Sequence, residues 1–217
     1  MKSIHEKLLL IGGGGHCSSV IDVLQENNSF DEIGIIDTKE KIGMKFCSLT
    51  YIGSDDDLKE LYNQGYSSAF ITVGSVINPM LRIKLYKLIY DIGFNIPNII
   101  SNTAIISNSS TFGNGIFVGK GAIINARTFI GNGSILNTGC IIEHDCRIGE
   151  FVHIAPGTTL SGGVIIGNKS HIGTNSTIIQ GINIGENTLI GAGSVVVNNI
   201  GNGKKAFGNP CKELKDE

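Results

Sequence analysis

Residues 124–160, INARTFIGNGSILNTGCIIEHDCRIGEFVHIAPGTTL, return to a large aliphatic side chain at every sixth position: Ile124, Ile130, Leu136, Ile142, Ile148, Ile154 and Leu160. The same phase runs outward to Ile106 on one side and Val196 on the other, sixteen successive positions without a slip. Four residues after each stands a small or β-branched side chain, among them Ala122, Thr128, Ser134, Cys140, Cys146 and Val152. The residue directly after the aliphatic is glycine in eight of the sixteen repeats. A helix would need apolar spacings of three and four, and a half-buried antiparallel strand a spacing of two. A strict period of six with glycine at a fixed phase asks instead for short strands joined by turns that use positive φ.

This pattern resembles the hexapeptide-repeat, left-handed parallel β-helix of bacterial acyltransferases. The resemblance implies three hexapeptides to a triangular coil of 18 residues, so that residues 18 apart stack. It places the aliphatic inside the prism with the small residue packed beside it, which makes Cys140 and Cys146 packing residues. Each coil touches only its neighbours, so the ends need caps. The tail Gly208-Asn209-Pro210-Cys211-Lys212-Glu213-Leu214 is suited to be one.

Residues 1–100 follow another rule. Lys7–Ile11 is a short apolar strand, and four glycines precede a helical pattern over Ser18–Leu24. A second strand, Ile33–Ile36, ends at Asp37, and Ser54 stands three residues before Asp57 in a capping-box spacing that opens a helix through Leu58, Leu61 and Tyr62. Ala69–Val73 reads as a further strand. Pro79–Ile92 reads as a helix with Leu81, Leu85, Leu88 and Ile92 on one face. Strands alternating with helices give a parallel sheet. The expected architecture is thus an α/β half-Rossmann domain over residues 1–100 and a left-handed β-helix with its C-terminal cap over residues 101–217.

Composition narrows the function classes. The chain has 217 residues with 17 Lys and Arg, 19 Asp and Glu, and a net charge of −2. That balance offers a polyanion no electrostatic footprint, so nucleic acid is not an expected partner. No apolar run approaches the roughly 20 residues that span a bilayer, and the opening MKSIHEKLLLIGGGG lacks a signal-peptide layout. Five cysteines without a CxxC pair fit a reducing cytoplasm better than a disulfide framework.

Two stretches carry chemistry. Gly12-Gly13-Gly14-Gly15 lies between a strand and a helix, where backbone N–H groups and the helix dipole favour a phosphate. Asp37, at the end of the next strand, suits a carboxylate accepting bonds from ribose or sugar hydroxyls. A tight turn without ligand and a turn aspartate are the plainer readings, and a G-x-G-x-x-G fingerprint is missing. With only half a doubly wound sheet present, a nucleoside diphosphate sugar fits better than a dinucleotide. In the second half, His144 stands in the third place of its hexapeptide, outside the prism, and is followed by Asp145. An imidazole with an orienting carboxylate is a general-base arrangement, against the alternative of a plain surface histidine. His153 and His171 are 18 apart and so stack on one edge; His153 suits a ligand contact, and His171 reads as an exposed stacked histidine. His5 offers only an exposed terminus.

From KLLLIGGGGH through IIEHDCRIGEFVHIAPG to FGNPCK, the whole chain resembles the sugar O- and N-acetyltransferases of the bacillosamine, sialic acid and perosamine type. That resemblance implies a homotrimer, with a nucleotide-linked amino sugar on the N-terminal domain and acetyl-CoA held by the β-helix between subunits. It implies His144 as catalytic base with Asp145 (a glutamate in the bacillosamine enzymes) as its partner and Asn137 nearby. His153, Gly162, Thr174 and Ala192 would meet acetyl-CoA, and Gly13, Gly14, Gly15, Asp37, Gly74 and Ser75 would hold the nucleotide sugar. No resident metal is implied. The expected reaction is acetyl transfer to the amine of a 4-amino-4,6-dideoxy sugar for surface glycan synthesis. Sugar O-acetylation and a non-catalytic nucleotide-sensing scaffold are the alternatives. A zinc carbonic anhydrase on the same solenoid would need histidines two coils apart plus a close pair, which spacings of 9 and 18 do not supply.

Overall fold

The computed structural model describes residues 6–27, 29–75 and 78–214, so that His5 lies outside it. The chain divides into two compact units, Met1–Gly74 with Met80–Ile99, and Ser75–Pro79 with Ile100–Glu217.

The first unit is a five-stranded sheet carrying helices. Strands β1 (Lys7–Ile11), β2 (Glu32–Ile36), β3 (Lys45–Phe46), β4 (Leu49–Gly53) and β5 (Ser68–Ile71) lie in the order β3-β4-β2-β1-β5. All neighbours are parallel except the β3–β4 hairpin, which the alternating pattern did not foretell. Leu8, Leu9 and Leu10 are fully buried, as a central parallel strand covered on both faces requires. Helices α1 (Gly15–Asn27), α2 (Leu58–Asn63) and α3 (Met80–Ile92) follow β1, β4 and β5. The Ser54–Asp57 spacing does its expected work, since the Ser54 N–H and hydroxyl both donate to the Asp57 carboxylate at 2.8 Å, ahead of α2.

Helix α3 is rotated from the expected face. It buries Arg82, Leu85 and Ile89, leaving Leu81 exposed and Leu88 and Ile92 only partly covered. The cause is Arg82, whose guanidinium donates to the carbonyls of Ile71 (3.1 Å) and Val73 (2.5 Å) where β5 ends. Buried carbonyls must find donors, and this need outranks the placement of one more leucine. Burial pulls the Arg82 pKa down to about 10.

The second unit is a three-sided parallel β-helix of left-handed type. Each hexapeptide contributes a two-residue strand, and partners lie 18 residues apart: Ile124 pairs with Ile106 and Ile142, Ile130 with Phe112 and Ile148, Leu136 with Val118 and Ile154. The aliphatic phase from Val118 to Val196 is buried as one continuous core, and Cys140 and Cys146 lie within it as free thiols. Desolvation pushes the Cys140 thiol up to about 12. Small polar members of the inner phase are satisfied locally: the hydroxyls of Thr128, Ser134, Thr158 and Ser170 donate to the carbonyls of Glu143, Gly149, Gly173 and Gly185. The tail adds the antiparallel pair Lys205–Gly208 and Cys211–Glu213, the first of which continues the sheet from Leu189 and Ile190.

Glycine serves this unit at two phases for two reasons. The glycines directly after the aliphatics do not supply the positive φ. At Gly131, Gly167 and Gly173 a Cβ would come within 2.5–2.7 Å of the backbone of the next coil. Positive φ falls two residues later, at Gly115, Gly121, Gly133, Gly139 and their successors, and at Arg127, Asp145, Phe151, Lys169, Asn175 and Asn187 in the same phase. Among the described residues no helix is long and apolar enough to cross a membrane.

Candidate functional site

In the first unit, the carboxyl ends of the parallel strands open into a cleft of about 640 Å³, where an open α/β sheet receives its ligands. Gly13, Gly14, Asp37 and Gly74 stand in its wall. The glycines are not equivalent. Gly12 has φ +105°, and a Cβ on it would strike Val73, while one on Gly13 would overlap the Tyr51 ring, whose hydroxyl donates to the Gly13 carbonyl at 3.1 Å. Around Gly14 and Gly15, the second of which begins α1, nothing lies within 4 Å of a Cβ. The first two glycines are demanded by packing; the second two leave room.

Asp37 is already engaged. Oδ2 accepts from the Gly13 N–H (2.8 Å) and Lys41 Nζ (2.9 Å), and Oδ1 from the Thr38 N–H (2.8 Å). Partial burial would raise its pKa, but Lys41 and the two amides outweigh that and hold it low. The carboxylate thereby fixes the glycine loop to the end of β2. Lys39, Lys41, Asp55 and Asp56 also line the cleft. No motif marks them in the sequence, although Lys39 and Lys41 stand two and four residues after Asp37 and the acidic pair Asp55-Asp56 follows β4 across Ser54. Burial, with the charges of Asp56 and Asp37 behind it, raises the Asp55 carboxyl.

In the β-helix, His144 and Asp145 occupy a corner just after the strand Ile141–Ile142. The His144 side chain is 54% exposed, so the ring stands outside the prism. Its Nδ1 lies 2.7 Å from Asp145 Oδ2. A carboxylate can only accept, so Nδ1 carries the proton and, in the neutral ring, Nε2 offers its lone pair outward. Asp145 is gripped from the preceding coil by Arg127, Nε to Oδ1 at 2.7 Å and Nη2 to Oδ2 at 2.8 Å. These contacts, Arg127 foremost and then His144, lower the Asp145 pKa to about 2. Gly162, one coil later, lies directly against the imidazole: a Cβ there would come 2.6 Å from Cε1 and 2.7 Å from Nε2.

Asn137 is brought to His153 rather than to His144. The His153 Nδ1 donates to the Ser75 carbonyl at 2.6 Å, which leaves Nε2 to accept from Asn137 Nδ2 at 3.4 Å. Ser75 is buried, and it belongs to this histidine and not to the wall of the cleft. His171 pairs in register with His153, ring edge to face at 4.7 Å, and is half-buried instead of exposed; burial lowers its pKa. Thr174 and Ala192 are exposed and stack on the edge that follows the His153 strand, joined through the Gly193 N–H and the Thr174 carbonyl at 2.8 Å. His144 follows a strand of a different sheet. Among the described residues no three His, Cys, Asp or Glu side chains gather as a metal site.

The family model of the PglD N-terminal domain matches residues 7–89, and that of the bacterial transferase hexapeptide (six repeats) matches residues 127–162. No curated protein matches the chain. Among solved structures, a histidine-to-asparagine variant of perosamine N-acetyltransferase from Caulobacter crescentus, in complex with CoA and GDP-perosamine, is 34% identical over 97% of both chains, with a TM-score of 0.90. The acetyltransferase domain of PglB from Neisseria gonorrhoeae, in complex with acetyl coenzyme A, is 31% identical over 97% of this chain and 100% of that one, with a TM-score of 0.89. WeeI from Acinetobacter baumannii, 22% identical with a TM-score of 0.83, shares the fold. With identity above 30% along nearly its whole length, and with both family models matching, the chain belongs to the hexapeptide-repeat sugar acetyltransferases and is an acyltransferase.

Proposed function

We propose that this acyltransferase moves acetyl from acetyl-CoA to the amine of a nucleotide-linked 4-amino-4,6-dideoxy sugar, a building block for surface glycan, by direct attack with His144 as general base. The observation that carries this reading is the His144–Asp145 pair, whose imidazole is oriented through Nδ1 and open at Nε2. The ligands in the relatives' structures, CoA with GDP-perosamine and acetyl coenzyme A, supply the substrate classes.

Nε2 takes a proton from the amine as its nitrogen forms a bond to the thioester carbonyl carbon. The oxyanion that develops is stabilised by a backbone N–H, for which Gly162 is placed beside the ring. Collapse breaks the carbon–sulfur bond, and the imidazolium returns its proton to the departing thiolate. The buried thiols of Cys140 and Cys146 are held protonated, which favours direct transfer over an acyl-enzyme. His153, with Thr174 and Ala192, forms the acetyl-CoA surface, and the working species is a homotrimer. The glycine loop with Gly13, Gly14, Gly15, Asp37 and Gly74 binds the nucleotide sugar.

The test is a thiol-release assay with acetyl-CoA against GDP-, UDP- and dTDP-linked 4-amino sugars, with free sialic acid as the competing acceptor. One amino-sugar nucleotide should be acetylated on nitrogen, and His144→Ala should lower turnover by about 10²–10⁴-fold without changing the melting temperature. Turnover of sialic acid alone, or an undiminished His144→Ala variant, would overturn the reading.

A further inference from the structure

We propose that Arg127 is a positioning residue for the proposed base: from the preceding coil it holds the Asp145 carboxylate in the orientation that meets Nδ1 of His144. The inference rests on His144 being the base and extends that reading to a residue 17 positions earlier in the chain.

The geometry is specific. Arg127 and Asp145 occupy the same corner of adjacent coils, both in the left-handed region, at φ +58° and +62°. Half of the sixteen hexapeptides fill this phase with glycine, and a long side chain there carries a conformational cost. The Arg127 N–H is tied back to Ser109 Oγ at 3.1 Å, and the Asp145 N–H donates to the Ala126 carbonyl at 2.9 Å, so both backbones are fixed before the side chains meet. The guanidinium then grips both carboxylate oxygens, and the oxygen facing Nη2 is the one shared with the imidazole. An ordinary surface ion pair contributes little to stability, because entropy and water offset it. A two-point grip on the orienting carboxylate of an imidazole has a use that simple stapling of two coils does not explain.

One consequence follows for His144. With its carboxylate pinned, the ring has one preferred rotation, and Nε2 is held where Gly162 lies against it.

The experiment compares wild type, Arg127→Gln and Arg127→Lys by kcat and KM at saturating substrate and by thermal melting. In Arg127→Gln the plateau kcat should fall severalfold while KM and the melting temperature stay near wild type. Arg127→Lys keeps the charge without the two-point fork, so its plateau should fall as well. An Arg127→Gln variant with wild-type kcat overturns the proposal and leaves the base assignment standing. An active His144→Ala variant, measured in parallel, removes the base assignment and the proposal with it.

Discussion

The imidazole of His144 lies on the backbone of Gly162, one coil later, so closely that a single added methyl would reach 2.6 Å from Cε1. The chain bonds across the same step, with the Gly163 N–H donating to the His144 carbonyl at 2.8 Å. Glycine at 162 is therefore a property of the histidine above it and not of the turn, since positive φ belongs to Gly163. A side chain at the surface can swing away, so Gly162→Ala should fold with nearly the wild-type melting temperature. The displaced ring would lose its alignment, and displacements of about 1 Å at a reacting centre can cost around a hundredfold. A kcat lowered ten- to a hundredfold is expected. Wild-type turnover in Gly162→Ala would show that the ring's resting place is irrelevant to the chemistry.

The Arg127–Asp145 pair predicts a pH signature in stability. The Asp145 carboxyl is held at about 2, below its ordinary value of 3.8, by Arg127 first and His144 second. A group whose pKa is depressed on folding adds stability that is fully present above its unfolded value and disappears as pH falls through the folded one. Asp145→Asn should therefore be less stable than wild type at pH 5–6, with the difference closing between pH 4 and pH 2. The side chains are open to solvent, so the difference is small. Urea unfolding midpoints of both proteins across that range would measure it, and a gap that is constant with pH would contradict the ion pair's role.

The period of six made the β-helix legible, because a buried aliphatic and a small neighbour leave a mark in every coil. Ile142 and Cys146 could be placed inside, and His144 outside, from their phase alone. What the period could not show was which glycines turn the chain. Close approach between coils and positive φ both select glycine, and only coordinates separate Gly131 from Gly133. In the first unit the strands declared themselves by their apolar runs, whereas the rotation of α3 was hidden because an arginine seldom anchors a helix to its core. The His144–Asp145 contact joins sequence neighbours and could be foreseen. Arg127 reaches Asp145 and Asn137 reaches His153 across whole coils, and such contacts depend on side-chain direction as much as on register.

The two glycine phases should respond differently to the same substitution. In Gly167→Ala the new Cβ would lie 2.5 Å from the Glu186 nitrogen, a backbone atom that cannot yield without parting two coils. Gly139 has φ +65° and open space around its Cβ position, so alanine there meets only the left-handed conformational penalty of roughly 1–2 kcal/mol. Thermal melts should show Gly139→Ala mildly destabilised and Gly167→Ala far more so or unable to fold. Equal losses at the two positions would mean that the coils can separate more easily than their hydrogen-bonded ladders suggest.

Within the glycine loop, Gly13 and Gly14 separate packing from ligand access. A Cβ on Gly13 would overlap Tyr51, and overpacking of that kind costs typically about 1–3 kcal/mol. Gly13→Ala should thus lose stability and, through the displaced loop, substrate binding together. Gly14 faces the cleft with nothing of the chain within 4 Å of a Cβ, and an alanine beside the start of α1 restricts the unfolded chain. Gly14→Ala should keep or slightly raise the melting temperature. If the loop's amides receive the diphosphate, the same methyl would stand where the ligand must approach, and KM for the nucleotide sugar should rise tenfold or more with kcat little changed. A Gly14→Ala enzyme with unaltered KM would show that the loop's amides do not receive the diphosphate.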